Sequence, residues 1–275
     1  MSSETLDTMT CLANAYVSQS KYRDAEVLYK QCLDKRKVVL GDNHPDTLGT
    51  ISGLADVYDH QGKYRDAEVL YKQCSDKSKV ALGENHPATL DSMHNLAATY
   101  VSQGKYRDAE VLFKQCLDKT KVALGENHPK TLAALSNLAA TYDRQDKYRD
   151  AEVLLKQCLD KQKVVLGENH PSTHGTMNNL AGAYYHQGKH RDAEVLLKQC
   201  LAKKKAVLGE SYPSTLTTVN SLANTYRYQG KYNDAEVLFK QCLAKMKAVL
   251  GENHPDTLRA KNNFALLQSQ MKQLE

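Results

Sequence analysis

LGENHPATLDSMHNLAATYVSQGKYRDAEVLFKQCLDKTKVAL, residues 82–124, carries two helices and the signals that start and stop both of them. Gly83 supplies the positive backbone angle that ends one helix, and Pro87 suits the first position of the next, where a missing N–H costs nothing. From there Leu90, Met93, Leu96, Ala97 and Tyr100 recur at spacings of three and four, which predicts helix A over Pro87–Ser102. Gly104 breaks that pattern. Ala109, Val111, Leu112, Cys116 and Leu117 then predict helix B from Tyr106 to Leu124. Asp108 and Glu110 open it and Lys114, Lys119 and Lys121 close it, the charge order a helix dipole favours. Helices of about 24 and 28 Å, joined by a few residues, pack antiparallel.

The same text is printed repeatedly. The string at Tyr22 returns at Tyr64, Tyr106, Tyr148, His190 and Tyr232, a period of 42 residues (64 − 22). No segment alternates like a strand, so the fold class is all-α. One helical pair cannot bury its own apolar stripe, and neighbouring pairs must stack. The expected organisation is a single array over residues 1–275: a right-handed α-solenoid of six pairs (3–41, 45–83, 87–125, 129–167, 171–209, 213–251) and a capping helix over 255–272. In that last helix Lys261 and Gln268 replace the apolar residue and the tyrosine of the other copies, as an exposed end requires.

The segment Asn95–Leu117, with small Ala97, Tyr100, Ala109, Phe113 and small Cys116, resembles a tetratricopeptide repeat. The 42-residue period and the LG-x-x-HP joints are similar to the kinesin light chain type of that family, although the chain has no heptad segment of the kind by which light chains hold a heavy chain. The resemblance implies a solenoid with peptide ligands in its concave groove. It also places Cys32, Cys74, Cys116, Cys158, Cys200 and Cys242 at the position usually held by alanine.

Several chemistries find no support. The formal charge of +5 is too small to point to nucleic acid or an anionic membrane surface, and no run of about 18 apolar residues is present. Six of the seven cysteines keep the repeat register, which suggests core packing in a reducing compartment and a cytoplasmic location. Cys11 lies outside that register and is the first candidate for a reactive thiol. The joint histidines His44, His86, His128, His170 and His254 give way to Tyr212 in one copy, so they are expected to be structural. No nucleophile elbow, phosphate loop or H-E-x-x-H occurs. The expectation is no enzyme, no cofactor and no metal.

Variation marks the functional face instead. Helix B is nearly constant, so differences between copies fall on helix A, opposite its core stripe. That stripe begins Asp7, Thr10, Cys11, Asn14, then Gly49, Ser52, Gly53, Asp56. The candidate peptide-binding residues along it are Asn95, Asn137, Asn178, Asn179, Tyr185, Asn220, Asn224, Arg227, Tyr228, Arg259 and Asn262. Asparagine amides both donate and accept, which suits a peptide backbone of any sequence, and tyrosine with arginine is the composition of binding hot spots. Asp56, Asp59 and Asp143, in or beside the stripe, argue against a highly acidic ligand. The function read from these residues is a scaffold or adaptor that binds partner peptides, with a motor or cargo protein as the kinesin-like form. Alternatives are a scaffold unrelated to kinesin, a helical-repeat RNA binder, or a thiol-based enzyme or sensor at Cys11.

Overall fold

The computed structural model describes residues 3–273. Among them are thirteen α-helices and no strand: α1 (Ser3–Ser18), α2 (Tyr22–Leu40), α3 (Pro45–His60), α4 (Tyr64–Leu82), α5 (Pro87–Ser102), α6 (Tyr106–Leu124), α7 (Pro129–Asp143), α8 (Tyr148–Val165), α9 (Pro171–His186), α10 (His190–Leu208), α11 (Pro213–Tyr228), α12 (Tyr232–Leu250) and α13 (Pro255–Lys272). Helices A and B of the third copy thus begin and end at the residues the sequence predicts. Two compact units contain them, Met1–Thr141 and Tyr142–Glu275. Within each unit, helices pack on the next helix or the next but one along the chain, which is the solenoid arrangement.

The joints explain the histidines. Each of His44, His86, His128, His170 and His254 stands just before its proline and accepts, through Nδ1, the backbone N–H two residues on, at 3.1–3.2 Å. Tyr212 makes no such bond. The imidazole therefore takes up an orphan donor at the helix start, and losing it in one copy is tolerated. At the A–B turns glycine holds a positive φ, +75° at Gly104, and Ser20 and Asp146 accept the same strained geometry in two copies.

The core is made of small residues facing large ones. Ala25, Ala67, Ala109, Ala151, Ala193 and Ala235 are fully buried, so each helix B approaches its neighbours closely. In the first unit Tyr29, Leu33, Leu48, Ile51, Leu54 and Val57 fill the space around Ala13 and Ala25. In the second, Leu197 and Leu222 pack on Ala181 and Ala193, and Phe239 and Leu267 pack on Ala223 and Ala235.

All seven cysteines are reduced, six buried and Cys11 exposed. The packing position also gives the thiol a partner. Sγ of Cys32, Cys74, Cys200 and Cys242 lies 3.2–3.5 Å from the carbonyl of the residue 26 positions earlier, on helix A, and Cys116 repeats this at 3.7 Å. Alanine would fill the space, but the S–H also donates a weak bond across the hairpin.

Candidate peptide-binding surface

In the first unit the variable stripe is the wall of a cleft of about 520 Å³. Asp7, Thr10, Cys11 and Asn14 come from α1, Gly49, Ser52, Gly53 and Asp56 from α3, and Asp91 with Ser92 from α5. The floor is helix B. There Tyr29 donates to Asn14, and behind it Tyr71, on α4, donates to Asp56. Gly53 is needed for this, because a β-carbon there would stand 2.6 Å from the Tyr29 ring. Burial raises the Asp56 carboxyl above its ordinary range, against the hydrogen bond from Tyr71 that lowers it. Arg36, buried at 5% exposure, reaches from α2 to pair with Asp7.

The asparagine stripe divides in two. Asn95 Nδ2 lies 3.4 Å from Asp56 Oδ1, and Asn137 Nδ2 lies 2.9 Å from His94 Nε2. In the second unit Asn178 exchanges bonds of 3.1 and 3.2 Å with the Thr218 hydroxyl. Asn220 is buried; its side-chain oxygen accepts from Asn263 at 3.4 Å and its carbonyl from Asn224 at 3.3 Å. These amides tie one helix A to another or brace their own helix. Asn179 and Asn262 are exposed on the stripe.

Tyr185, Arg227 and Tyr228 come together, joined by a residue the sequence reading passed over. The Tyr185 and Tyr228 rings meet edge to face at 4.9 Å, and His190 touches both at 5.6 Å. Arg227 lies 4.5 Å from the Tyr228 ring centroid and donates to Gln270 at 3.1 Å. Burial, then Tyr228, raises the Tyr185 phenol, while the hydrogen bond with Tyr185 lowers that of Tyr228. Tyr228 stays 54% exposed, an aromatic face offered to solvent. Arg259 is not part of this group: it pairs with Asp256 at 2.8 Å near the start of α13. Eleven residues separate it from Gln270, roughly 16 Å of helix.

Other crevices, at the A–B turns, recur with the same residue types, such as Lys21, Tyr22, Arg23 and Gln61, or Gly62, Tyr64, Arg65 and Gln103. They are the seams of the repeat.

The tetratricopeptide repeat models match residues 4–79, 172–248 and 214–275, and residues 89–130 and 131–172. The chain belongs to the tetratricopeptide repeat family, whose fold is a scaffold for protein interaction. Its repeats are of the kinesin light chain-like type. A Podosopora anserina protein described as a kinesin light chain with nearly identical TPR-like repeats is 30% identical over 75% of this chain and 98% of that one, with a TM-score of 0.65. BtubC (BKLC) from P. vanneervenii shares the fold at 21% identity and a TM-score of 0.65, over 91% of this chain and 94% of that one. A Rap protein complexed with competence and sporulation factor does so at 14% identity and 0.61, over 97% and 75%. Among curated proteins, no sequence matches the chain. No helix among the described residues is long and apolar enough to cross a membrane.

Proposed function

We propose that the chain is an adaptor that binds extended peptides of partner proteins along the variable face of its A helices, with kinesin light chain-like cargo binding as the specific form. One observation carries this reading. Most of the cleft wall in the first unit is made of residues that differ between copies, while most of the constant residues are spent on joints and core. In the second unit the exposed residues Asn179, Tyr228, Arg259 and Asn262 and the half-buried Tyr185 are the proposed contacts. Asn178, Asn220, Asn224 and Arg227, each already hydrogen-bonded, shape the wall behind them, and Asn95 and Asn137 brace the stripe within the first unit.

Displayed random peptides selected on the whole chain provide ligands for the test. Tyr228→Ala is expected to weaken the selected peptides by about 2 kcal/mol, as an exposed aromatic anchor does. Asn179→Ala should cost about 1 kcal/mol through a lost hydrogen bond. Asn179→Ala should melt within a degree or two of the parent, and Tyr228→Ala within a few degrees, since it gives up only the ring contacts with Tyr185, His190 and Arg227. Unchanged affinity in both, with the peptides still bound, would remove the surface from consideration.

A further inference from the structure

The repeats supply their own comparison at the position held by Arg36, Ser78, Thr120, Gln162, Lys204 and Met246. In the first copy Arg36 Nη1 donates to the Asp46 carbonyl at 2.9 Å and the Thr50 hydroxyl at 2.7 Å, and Nη2 pairs with the Asp7 carboxylate. In the fifth copy Lys204 Nζ makes the corresponding pair of bonds, to the Ser214 carbonyl at 3.1 Å and the Thr218 hydroxyl at 3.0 Å. The carboxylate is missing. Residue 175, which corresponds to Asp7, is glycine, and a β-carbon there would meet nothing within 4 Å. Lys204 is 4% exposed, and among the described residues no acid pairs with it.

An ammonium has three donors, and two are used. A buried cation without a counter-charge is costly, and burial lowers the Lys204 pKa accordingly. A second group beside it is also left short. His174, next to Gly175, occupies a leucine position of the core at 1% exposure. Neither ring nitrogen makes a hydrogen bond of ordinary geometry, although the Glu168 backbone favours its charged form. Its pKa is lowered by burial first and then by the Lys204 and Lys203 charges.

From this arrangement we infer that Lys204, with the open place at Gly175 and the Asn178–Thr218 pair beside it, is a carboxylate subsite that takes one acidic side chain of a bound peptide. That carboxylate would stand where Asp7 stands in the first copy. The inference rests on the peptide-binding reading and adds a residue preference to it. A single acid at one subsite is consistent with the aspartates elsewhere on the stripe, which disfavour an acidic peptide as a whole.

Two probes test it on the full chain. The first is an array of acetylated, amidated octapeptides in which every Asp or Glu peptide has an Asn or Gln twin. The parent should prefer the acidic member of its best pairs by about tenfold, the worth of one charge-assisted hydrogen bond. Lys204→Met should abolish that preference and still fold, because Met246 fills the corresponding position at 1% exposure. Gly175→Asp, which rebuilds the first copy's ion pair inside the chain, should abolish it too. Peptides that bind with no acid preference, or a preference that survives Lys204→Met, overturn the subsite. The second probe is acetate, followed by the Lys204 13Cε resonance. A saturable shift in the parent that is absent in Gly175→Asp supports the site, and no saturable shift overturns it. An acetate shift without any peptide binding overturns the peptide reading while leaving the carboxylate site in place.

Discussion

A thiol in place of alanine changes little in volume, but it changes what a single residue can do in the hairpin. Burial pushes the Cys116, Cys158 and Cys242 thiols up to about 11, so the reactive thiolate is scarce at neutral pH. In native alkylation the exposed Cys11 should therefore react first, with the six repeat cysteines following only as fast as the hairpins open. Equal labelling of several buried cysteines and Cys11 would contradict this. Cys116→Ala should cost under about 1 kcal/mol, the weak bond to Leu90 being its chief loss. Cys116→Leu should overpack and cost about 1–3 kcal/mol. The period and the small-residue register are enough to read the burial from sequence. The sulfur's bond to a carbonyl 26 residues earlier is not legible, because it depends on how closely two helices approach. Pairing within a copy is written in the sequence: tyrosine at 29 and 71 goes with Asn14 and Asp56, whereas Phe113, Leu155 and Leu197 go with Ala98, Ala140 and Gly182, and only the sixth copy, Asn224 with Phe239, departs from the rule.

At the scale of elements, neighbouring hairpins are bolted by a repeated polar device built on the glutamate in the first turns of helix B. Glu26 on α2 takes Lys30 from its own helix, then Gln61 and Lys63 from the next A–B turn, at 2.6–3.0 Å. The glutamine also donates to the Tyr22 carbonyl at 3.2 Å. Glu68, Glu152 and Glu194 repeat the arrangement with Gln103, Gln187 and Gln229. Burial alone would raise these carboxyls, but hydrogen bonds from the two lysines and the glutamine outweigh it and hold each at about 2. The ordinary glutamate value is 4.5, and an unfolded chain returns to it. The bolts thus contribute fully above about pH 4.5, and their contribution disappears as pH falls toward 2. The melting temperature should fall across that window. Replacing Glu68 and Glu152 by glutamine should flatten the fall, and an acid limb of unchanged steepness would show that other carboxylates dominate it. Helix boundaries were legible because caps and breakers are local. The bolts were not, because they join residues 35 and 37 positions apart whose meeting depends on the angle between hairpins.

The scale of the whole molecule is set by the fact that each hairpin depends on its neighbours, so what happens at an end should stay near that end. Lys261 and Gln268, which stand where the other copies carry an apolar residue and a tyrosine, are exposed on α13. The other face of α13 is a lid: Leu267 is fully buried against Ala223, Ala235 and Phe239, and Ala260 packs on Leu216, Val219, Cys242 and Met246. Removing residues 255–275 deletes one buried leucine and opens the hydrophobic surface of a phenylalanine and a methionine. At about 2 kcal/mol for each large side chain, several kcal/mol of local stability is lost. In a compact domain that loss would spread over every element. In a stack of hairpins it should fall on α11 and α12 and fade with distance along the chain. Amide exchange separates the two behaviours. The truncated chain should lose at least about tenfold of protection in α12, while α1–α4 keep theirs. Equal loss in α2 and α12 would mean that the molecule unfolds as one body despite its repeats, and undiminished protection in α12 would mean that α13 is not the cap its buried face makes it.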